Sequence, residues 1–308
     1  MAHWEKLGLL IDAGAADWLV SHVAVPIVEH RSGGTHRMYF TTRDEAGRSR
    51  VGTADFDIAD PFGTISVCDA PVLGPGPAGA FDERGAMASS LVAHDGRTYL
   101  YYVGWSIPPE VPFVVRMGLA LSDNGGADFT RHAADPILPL DAIDPISTSS
   151  AFVLRDQGRW RMWYISIVRW EPQGAGAPPR HYYNIRHADS DDGIAWRRDG
   201  TVCIDFKNRH EYAISTPCVV RDPDCYRMWY SYRASPGVET YRIGYAESDD
   251  GLAWRRLDEH AGIDVSEAGW DSQAVCYPCV FDAGAERYMA YNGNDYGRTG
   301  VGLAVLRR

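Results

Sequence analysis

Carboxylates are the side chains in this sequence whose positions could support chemistry, since at least one stands shortly before each of five apolar segments. They are Asp17, Asp82, Glu83, Asp141, Asp144, Glu211 and Asp271. Carboxylates that meet at one opening repel one another, which raises the pKa of some of them and suits general acid and base catalysis. The set predicts acid–base chemistry at any site where the fold brings its members together.

Basic side chains accompany these acids along the chain. His22 and Arg84 stand in the first two of the five regions, and the basic run Lys207–His210 directly precedes Glu211. Cations at the mouth of an acidic channel are suited to hold a phosphate group, and arginine does so through two parallel hydrogen bonds. The same cations are equally suited to pair with the neighbouring acids, so the sequence leaves both interpretations open.

Aromatic side chains at predicted loops and strand starts form a third set of candidates. They are Trp18, Trp105, Trp170, Tyr183, Tyr212, Trp270 and Tyr277. A rigid ring offers a large flat contact surface at little entropic cost, so some of these rings are expected to stack on a ligand such as a sugar.

The elements that must position these residues form an internal repeat. A basic and aromatic strand motif recurs at intervals of 60 to 66 residues, as 37–40, 97–101, 161–164, 227–230 and 287–291. An apolar strand precedes each copy, and a third strand with small residues two apart follows it, as in Gly118 and Ala120. Residues two apart face the same side of a strand, so these small side chains are expected to let a neighbouring sheet pack closely.

A fourth strand is predicted to follow the third strand in the repeats that carry a turn motif. Asp-Asp-Gly turns at 191–193 and 249–251 predict hairpins with a new strand starting near Trp196 and Trp254. The last copy stops at Arg308 without a fourth strand, and Trp4–Leu7 aligns with Trp254–Leu257, so the N-terminus is predicted to supply the missing strand.

The sequence therefore predicts an all-β fold with one domain over residues 1–308. This domain is a five-bladed β-propeller of four-stranded antiparallel blades, whose ring is closed by the N-terminal strand completing the last blade. The predicted blade cores are 21–60, 87–131, 147–205, 213–264 and 274–308 with 3–12. Segment 171–179, rich in Gly and Pro, is predicted to be a loop between the second and third strands of the third blade.

Composition excludes several classes of partner. A net charge of -11 argues against nucleic acid, and no apolar run approaches the roughly 20 residues that span a bilayer. Six scattered cysteines predict reduced thiols and a cytoplasmic protein. No Gly-rich phosphate loop opens a helix, and Cys276 and Cys279 face opposite sides of a predicted strand. We therefore expect no cofactor and no metal ion, and the oligomeric state stays open.

Three motifs together resemble a known group of proteins along essentially the whole chain. They are Trp270-Asp271 followed by Pro278-Cys279-Val280, Arg227-Met228-Trp229-Tyr230, and the Ile-Gly-Tyr-Ala-Glu-Ser-Asp-Asp-Gly segment 243–251. This pattern resembles the five-bladed propeller glycosidases, namely glycoside hydrolase families 43 and 32 and phosphorylase family 130. The resemblance implies a carbohydrate-active enzyme whose partner is a small carbohydrate or sugar derivative.

The resemblance also implies roles for individual residues. The nearest matches to the family 43 residues are Asp17 as base, Asp144 as helper and Glu211 as acid, while Ser215 stands two residues before Pro217, where that family has its glutamate. The expected substrate-binding residues are His22, Glu83, Arg84, His210, Ser215, Asp271, Gln273 and Tyr277.

Three functions follow as expectations. Hydrolysis of a small glycoside comes first, and an inverting reaction needs its two carboxylates roughly 6.5 to 9.5 Å apart. A glycoside phosphorylase, or an enzyme acting on a phosphorylated or nucleotide-linked sugar, is the second. A carbohydrate-binding or biosynthetic propeller that has lost the glycosidase trio is the third.

Overall fold

β-Strands make up most of the regular secondary structure of the chain, and turns and loops join them. A computed structural model describes residues 3–109, 111–174, 179–234 and 240–307, so that part of the predicted loop at 171–179 lies outside the described residues. Helical structure is limited to α1 (Pro61–Thr64), α2 (Asn294–Gly297) and 3-10 turns at Ala13–Ala15 and Asp258–His260. Within the described ranges, no helix has the length and apolar character needed to cross a membrane.

The strands group into successive sheets. β1 (His3–Ile11) opens the chain. Sheet I contains β2 (Ser21–Ser32), β3 (Thr35–Arg43), β4 (Ser49–Asp57) and β5 (Ser66–Val67). Sheet II contains β6 (Ala86–His94), β7 (Arg97–Ser106), β8 (Val114–Ser122) and β9 (Thr130–Arg131). Neighbouring strands within both sheets are antiparallel.

The middle of the chain forms two further groups of four strands. Sheet III contains β10 (Ser147–Asp156), β11 (Arg159–Glu171), β12 (Arg180–Ser190) and β13 (Val202–Ile204). Sheet IV contains β14 (Ala213–Arg221), β15 (Tyr226–Arg233), β16 (Arg242–Ser248) and β17 (Arg255–Arg256). One parallel bridge from Tyr183 to Ala213 joins the two groups into an eight-stranded sheet.

The two ends of the chain meet in the last sheet. Sheet V contains β18 (Cys276–Ala283), β19 (Glu286–Asn292) and β20 (Val301–Arg307), and β1 pairs antiparallel with β20 from His3 opposite Arg307 to Ile11 opposite Val301. The N-terminal strand is thus the outer strand of the last sheet, as the sequence predicts. This pairing removes an exposed sheet edge.

The first strand of each sheet contacts the first strand of the next. These contacts run from β2 to β6, β10, β14 and β18, and β18 in turn contacts β2. Large side chains fill the space between sheets, and the largest that are fully buried include Trp160, Trp163, Tyr101 and Tyr164. The architecture is therefore all-β and propeller-like.

The predicted Asp-Asp-Gly turns are present in the structure. Asp192 Oδ1 accepts hydrogen bonds from the backbone of Ile194 and Ala195, both at 2.8 Å, and Asp250 repeats this pattern. In sheet IV the fourth strand starts at Arg255, as predicted. In sheet III an Asp199–Gly200 turn interrupts the pairing, so the fourth strand starts only at Val202.

A buried carboxylate ties the start of the first strand to the second and fourth strands of its sheet. Asp82 accepts hydrogen bonds from Tyr102 Oη on β7 at 3.1 Å and from Arg131 Nε on β9 at 2.7 Å. We call this arrangement the Asp–Tyr–cation cluster. It recurs as Asp144 with Tyr164 and Arg198 in sheet III, and as Asp271 with Tyr291 and Lys6 in sheet V. In each sheet the tyrosine follows the acid by 20 residues.

The other two sheets modify the cluster without leaving a charge unpaired. In sheet IV, Glu211 binds Arg256 at 2.8 Å, and Tyr230 donates to Asp258 instead. In sheet I the acid and the tyrosine are both replaced by apolar residues, Leu19 and Phe40, which are 3% and 0% exposed. Losing the acid and the hydroxyl together avoids an unsatisfied buried polar group.

The small residues of the third strands make room for these clusters. A Cβ on Gly118 would lie 2.3 Å from the ring of Tyr102, and one on Gly302 would lie 2.2 Å from Trp270. The Tyr102 ring belongs to the adjacent strand of the same sheet. The expectation that this glycine admits a neighbouring sheet is therefore wrong, because it is the ring next to it that needs the space.

Replacing Asp144 with alanine is expected to destabilise the protein by about 3–5 kcal/mol, because the largely buried Arg186 and the Tyr164 hydroxyl lose this carboxylate. Arg198 keeps only its ion pair with Asp141. Arg198 and Asp144 are 5% and 0% exposed at their side chains. Urea denaturation measures the loss, and Asp17→Ala at an exposed position is the control, expected to change stability by less than about 0.5 kcal/mol. A loss below about 1 kcal/mol for Asp144→Ala would contradict the role of the cluster.

Candidate functional site

A cavity of about 450 Å³ opens where the first strands of the five sheets meet. Every sheet contributes to its wall. Its lining residues include His22, Val25, Arg43, Arg84, Trp105, Ile107, Phe113, Ser149, Ser150, His181, Tyr183, Ser215, Thr216, Arg233, Tyr241, Tyr277 and Tyr296. Its size falls within the range of about 300–1,000 Å³ typical of small-molecule sites.

Strained backbone positions line this cavity. Val25, Thr216 and Tyr277 have φ angles of 52°, 47° and 54°, and each directly precedes a proline. A left-handed conformation costs a non-glycine residue of order 1–3 kcal/mol. Each residue lies at a register shift of its first strand, where the extra residue leaves the ladder. Such strain concentrates at functional sites, which supports the cavity as the site.

Three arginines at the cavity have no acidic partner among the residues that the structure describes. Arg43, Arg84 and Arg233 form no ion pair with any residue in the described part of the chain. Arg233 instead donates from Nη1 to Tyr296 Oη at 2.6 Å and lies 4.8 Å from the ring centroids of both Tyr212 and Tyr241. The cavity therefore presents positive charge that no side chain of the described residues neutralises.

Two histidines at the cavity are neutral at pH 7. Burial, together with the positive charges of Arg43 and Arg298, lowers the pKa of His22 to about 4, and Asp295 opposes this shift. Burial and Arg233 lower the pKa of His181 to about 4 as well. Neutral imidazoles can both donate and accept hydrogen bonds, so the site offers neutral polar groups beside its cations.

Three tyrosine hydroxyls at the cavity stay protonated. Burial raises the pKa of Tyr183 and of Tyr241, and these two side chains share a hydrogen bond between their hydroxyl groups. Burial also raises the pKa of Tyr277. These groups act as neutral hydrogen-bonding phenols rather than as phenolate nucleophiles.

The structure does not bring the three predicted catalytic carboxylates together at this cavity. Asp17 is exposed before β2 and does not line the cavity. Asp144 and Glu211 are 0% and 1% exposed, and they bind Arg198 and Arg256 within their sheets. Among the described lining residues there is neither an aspartate nor a glutamate.

The expected substrate-binding residues divide into two groups. His22, Arg84, Ser215 and Tyr277 line the cavity, and Glu83, His210, Asp271 and Gln273 do not. Glu83 accepts a hydrogen bond from the backbone of Gly79, and Asp271 belongs to the cluster of sheet V. The backbone carbonyl of Gln273 binds Arg242.

The basic run before Glu211 lies away from the cavity. Lys207 pairs with Asp258 at 3.6 Å, and Arg209 contacts His210 at 3.3 Å. The sequence left open whether Arg84 and Arg209 pair with neighbouring acids. Neither arginine forms an ion pair with an acid among the described residues, and Arg84 lines the cavity.

Several residues that line the cavity were not predicted from the sequence as site residues. Among them are Arg43, Phe113, His181, Arg233 and Tyr241. Arg43 and Arg233 are the last residues of the second strands of sheets I and IV. A basic residue ending an otherwise buried strand was a usable signal.

For a metal ion, no group of three or more His, Cys, Asp or Glu side chains with suitable placement exists within the described ranges.

Known structures share this fold. A thermostable family-43 glycoside hydrolase has a TM-score of 0.68 at 17% identity, with coverage of 94% of this chain and 89% of that chain. A glycosyl hydrolase from Bacteroides ovatus gives 0.69 at 18% identity, covering 94% and 84%. The Bombyx mori GH32 beta-fructofuranosidase BmSUC1 gives 0.66 at 13% identity, covering 93% and 61%. The likeness to the propeller glycosidase superfamily is confirmed for the fold.

Closer relatives are found by sequence. The Mycobacterium tuberculosis proteins MT1551 and Rv1502, both uncharacterized, are each 41% identical to this chain over 304 residues, which is 98% of this chain and 99% of theirs. The chain belongs to the same protein family as these two mycobacterial proteins. No protein-family model matches the chain.

An anion bound at the cavity is expected to raise the pKa of His22 from about 4, because it offsets the charges of Arg43 and Arg298. NMR titration of the histidine ring signals with and without sulfate, at constant ionic strength, measures this change. His22→Gln assigns the signal, and His36 in sheet I, outside the cavity, is the control. An unchanged His22 midpoint at saturating sulfate would contradict an anion site beside this residue.

Proposed function

We propose that the chain is a five-bladed β-propeller enzyme that acts on a sugar carrying a phosphate group, as a phosphorylated or nucleotide-linked sugar. Contacts between the first strands of five successive sheets, from β2 round to β18, support the blade count. The fold shared with glycoside hydrolases supports a carbohydrate ligand. The arginine side chains that line the cavity support a negatively charged ligand.

The unneutralised arginines carry this proposal. The chain has 41 acidic and only 30 basic side chains, so acids are in excess over the cations. Arg43, Arg84 and Arg233 nevertheless face the cavity without an ion pair to a described residue. Elsewhere arginines such as Arg131, Arg198 and Arg287 bind aspartates. A phosphate that accepts bidentate hydrogen bonds from guanidinium groups fits the charge left at this site.

The sugar fits the remaining polar groups. Ser149, Ser150, Ser215 and Thr216 line the cavity from sheets III and IV. Their hydroxyls can donate to and accept from sugar hydroxyls. With the phosphate near His22, Arg43 and Arg84, the ring of the sugar reaches towards these hydroxyls and Tyr277.

Hydrolysis by a pair of carboxylates has less support from the geometry. That mechanism needs an acid and a base flanking the glycosidic bond. The described lining residues include no carboxylate, and Asp144 and Glu211 have buried cationic partners. We infer that these two acids hold their sheets together, and the catalytic roles of Asp17, Asp144 and Glu211 stay predictions.

Phosphorolysis is the second candidate, and the same cations favour it. A phosphate held by Arg43 and Arg84 supplies its own nucleophilic oxygen, so attack on the anomeric carbon requires no carboxylate base. The glycosidic C–O bond then breaks, and the leaving oxygen takes the proton of the hydrogen phosphate, so that a sugar phosphate and an alcohol are formed. A cytoplasmic site of action is part of the proposal and is supported by six cysteines with free thiols.

Arg84→Gln is expected to weaken binding of sugar phosphates by roughly 10- to 100-fold, since a hydrogen bond to a charged group contributes about 1.5–3 kcal/mol. Isothermal titration with hexose 1-phosphates and nucleotide hexoses, against neutral methyl hexosides, measures this loss. Arg97→Gln is the matched control, because Arg97 binds Asp123 and does not line the cavity.

Turnover assays separate the reactions. Aryl glycosides and small oligosaccharides, with and without inorganic phosphate, are compared for the wild type, Arg84→Gln and Glu211→Gln. Phosphate-dependent cleavage that Arg84→Gln impairs supports the phosphorylase. Phosphate-independent cleavage of neutral glycosides, lost in a folded Glu211→Gln protein but retained in Arg84→Gln, would overturn the proposal and restore the hydrolase.

A further inference from the structure

The cavity has an aromatic side that the proposed phosphate and sugar contacts leave unused. Phe113 lies 5.1 Å from the rings of both Trp105 and His181, measured between centroids. His181 in turn stacks on Tyr183 at 5.1 Å with an interplanar angle of 16°. All four rings line the cavity, so sheets II and III together present a continuous aromatic wall.

Apolar side chains surround much of this wall, and Arg233 lies near its His181 and Tyr183 rings. Met87, Val115, Ile165 and Ile167 line the cavity beside the rings. Ile107 also lines it and is 54% exposed, which leaves a large apolar side chain open to solvent at this side. Ile107 thereby extends the apolar lining of the cavity to its rim, where it is available to contact an apolar part of a ligand.

The aromatic wall and the cations are neighbours in the same sheet. The backbone N–H of Arg84 donates to the carbonyl oxygen of Trp105 at 2.9 Å, and the N–H of Trp105 donates to Gly85 at 3.0 Å. A single ligand can therefore contact the Arg84 side chain and the aromatic wall together. Trp105 Nε1 is buried and has no hydrogen-bond acceptor among the described residues.

A second sugar ring fits this wall poorly. Sugar hydroxyls need hydrogen-bonding groups around the stacking rings, and the described neighbours of the wall are mostly hydrocarbon. The hydroxyl of Tyr183 is already bonded to Tyr241. A nucleobase meets the same difficulty, because its polar edges would lie against Ile165 and Ile167 without partners.

We propose that the ligand is amphiphilic, with an apolar alkyl or aryl group that occupies the Trp105, Phe113, His181 and Tyr183 wall while its phosphate binds the neighbouring arginines. This inference rests on the proposed anion site and narrows its ligand class. The substrate is then a sugar phosphate linked to a hydrocarbon group, rather than one linked to a nucleotide.

Two simple phosphates test the wall without knowledge of the sugar. Isothermal titration compares phenyl phosphate with methyl phosphate, which share one charged group and differ in the apolar part. Phenyl phosphate is expected to bind at least about tenfold more tightly, equivalent to about 1.4 kcal/mol. Ile107→Ser and Phe113→Leu are expected to reduce this advantage and to leave methyl phosphate binding unchanged.

Matched controls separate this inference from the proposed function. Leu252→Ser removes an exposed apolar side chain of a turn outside the cavity and is expected to change neither affinity. Arg84→Gln is expected to weaken both ligands by the same factor. Methyl phosphate binding that depends on Arg84, with no advantage for phenyl phosphate, would overturn the amphiphilic ligand and keep the anion site.

Two other outcomes would also overturn the inference. One is the absence of binding by either phosphate, which would remove the anion site as well. The other is uridine 5′-monophosphate gaining an Ile107-dependent advantage that phenyl phosphate lacks, which would assign the wall to a nucleobase.

Discussion

The buried acid of each Asp–Tyr–cation cluster is the constraint on which the rest of the structure depends. A carboxylate in the interior is stable only when it is paired with a cation and hydrogen-bonded. Asp82, Asp144 and Asp271 meet this requirement in two ways. Each accepts a hydrogen bond from a tyrosine of the second strand of its sheet, and each binds a cation that lies on the fourth strand or next to it. Each acid thereby fixes where its first strand begins relative to its sheet. Since the cavity is built from the starts of first strands, its shape follows from these pairings.

The same pairings account for the charge of the cavity. Asp82, Asp144, Glu211 and Asp271 stand at the places where the repeat brings an acid towards each first strand, and each is neutralised inside its own sheet. Arg43 and Arg233, which end the second strands of sheets I and IV, have no such partner in the described part of the chain. An acidic protein therefore presents a positive cavity, which net charge alone would not have suggested.

Fold and chemistry separate clearly in this molecule. The fold resembles those of glycoside hydrolases, with TM-scores of 0.66 to 0.69 at 13–18% identity. The lining of the cavity, with Arg43, Arg84, Arg233 and an aromatic wall, is a property of individual side chains. Function resides in such a site rather than in the fold that carries it. The strained positions Val25, Thr216 and Tyr277 show that the chain keeps costly backbone geometry at the cavity.

The amino-acid sequence by itself determined the repeat, the strand pattern and the pairing of the N-terminal strand with the last sheet. These features are local or periodic, since alternating apolar residues and Asp-Asp-Gly turns specify strands and hairpins over a few residues. The sequence also placed His22, Arg84, Ser215 and Tyr277 at the site, because they stand at or near the start of a first strand. Only the tertiary structure decided that Asp144 and Glu211 point into their sheets while Arg43 and His181 face the cavity. The pairing of a carboxylate with a cation joins side chains that are distant in the sequence, such as Asp144 and Arg198. No local sequence pattern specifies such a pairing.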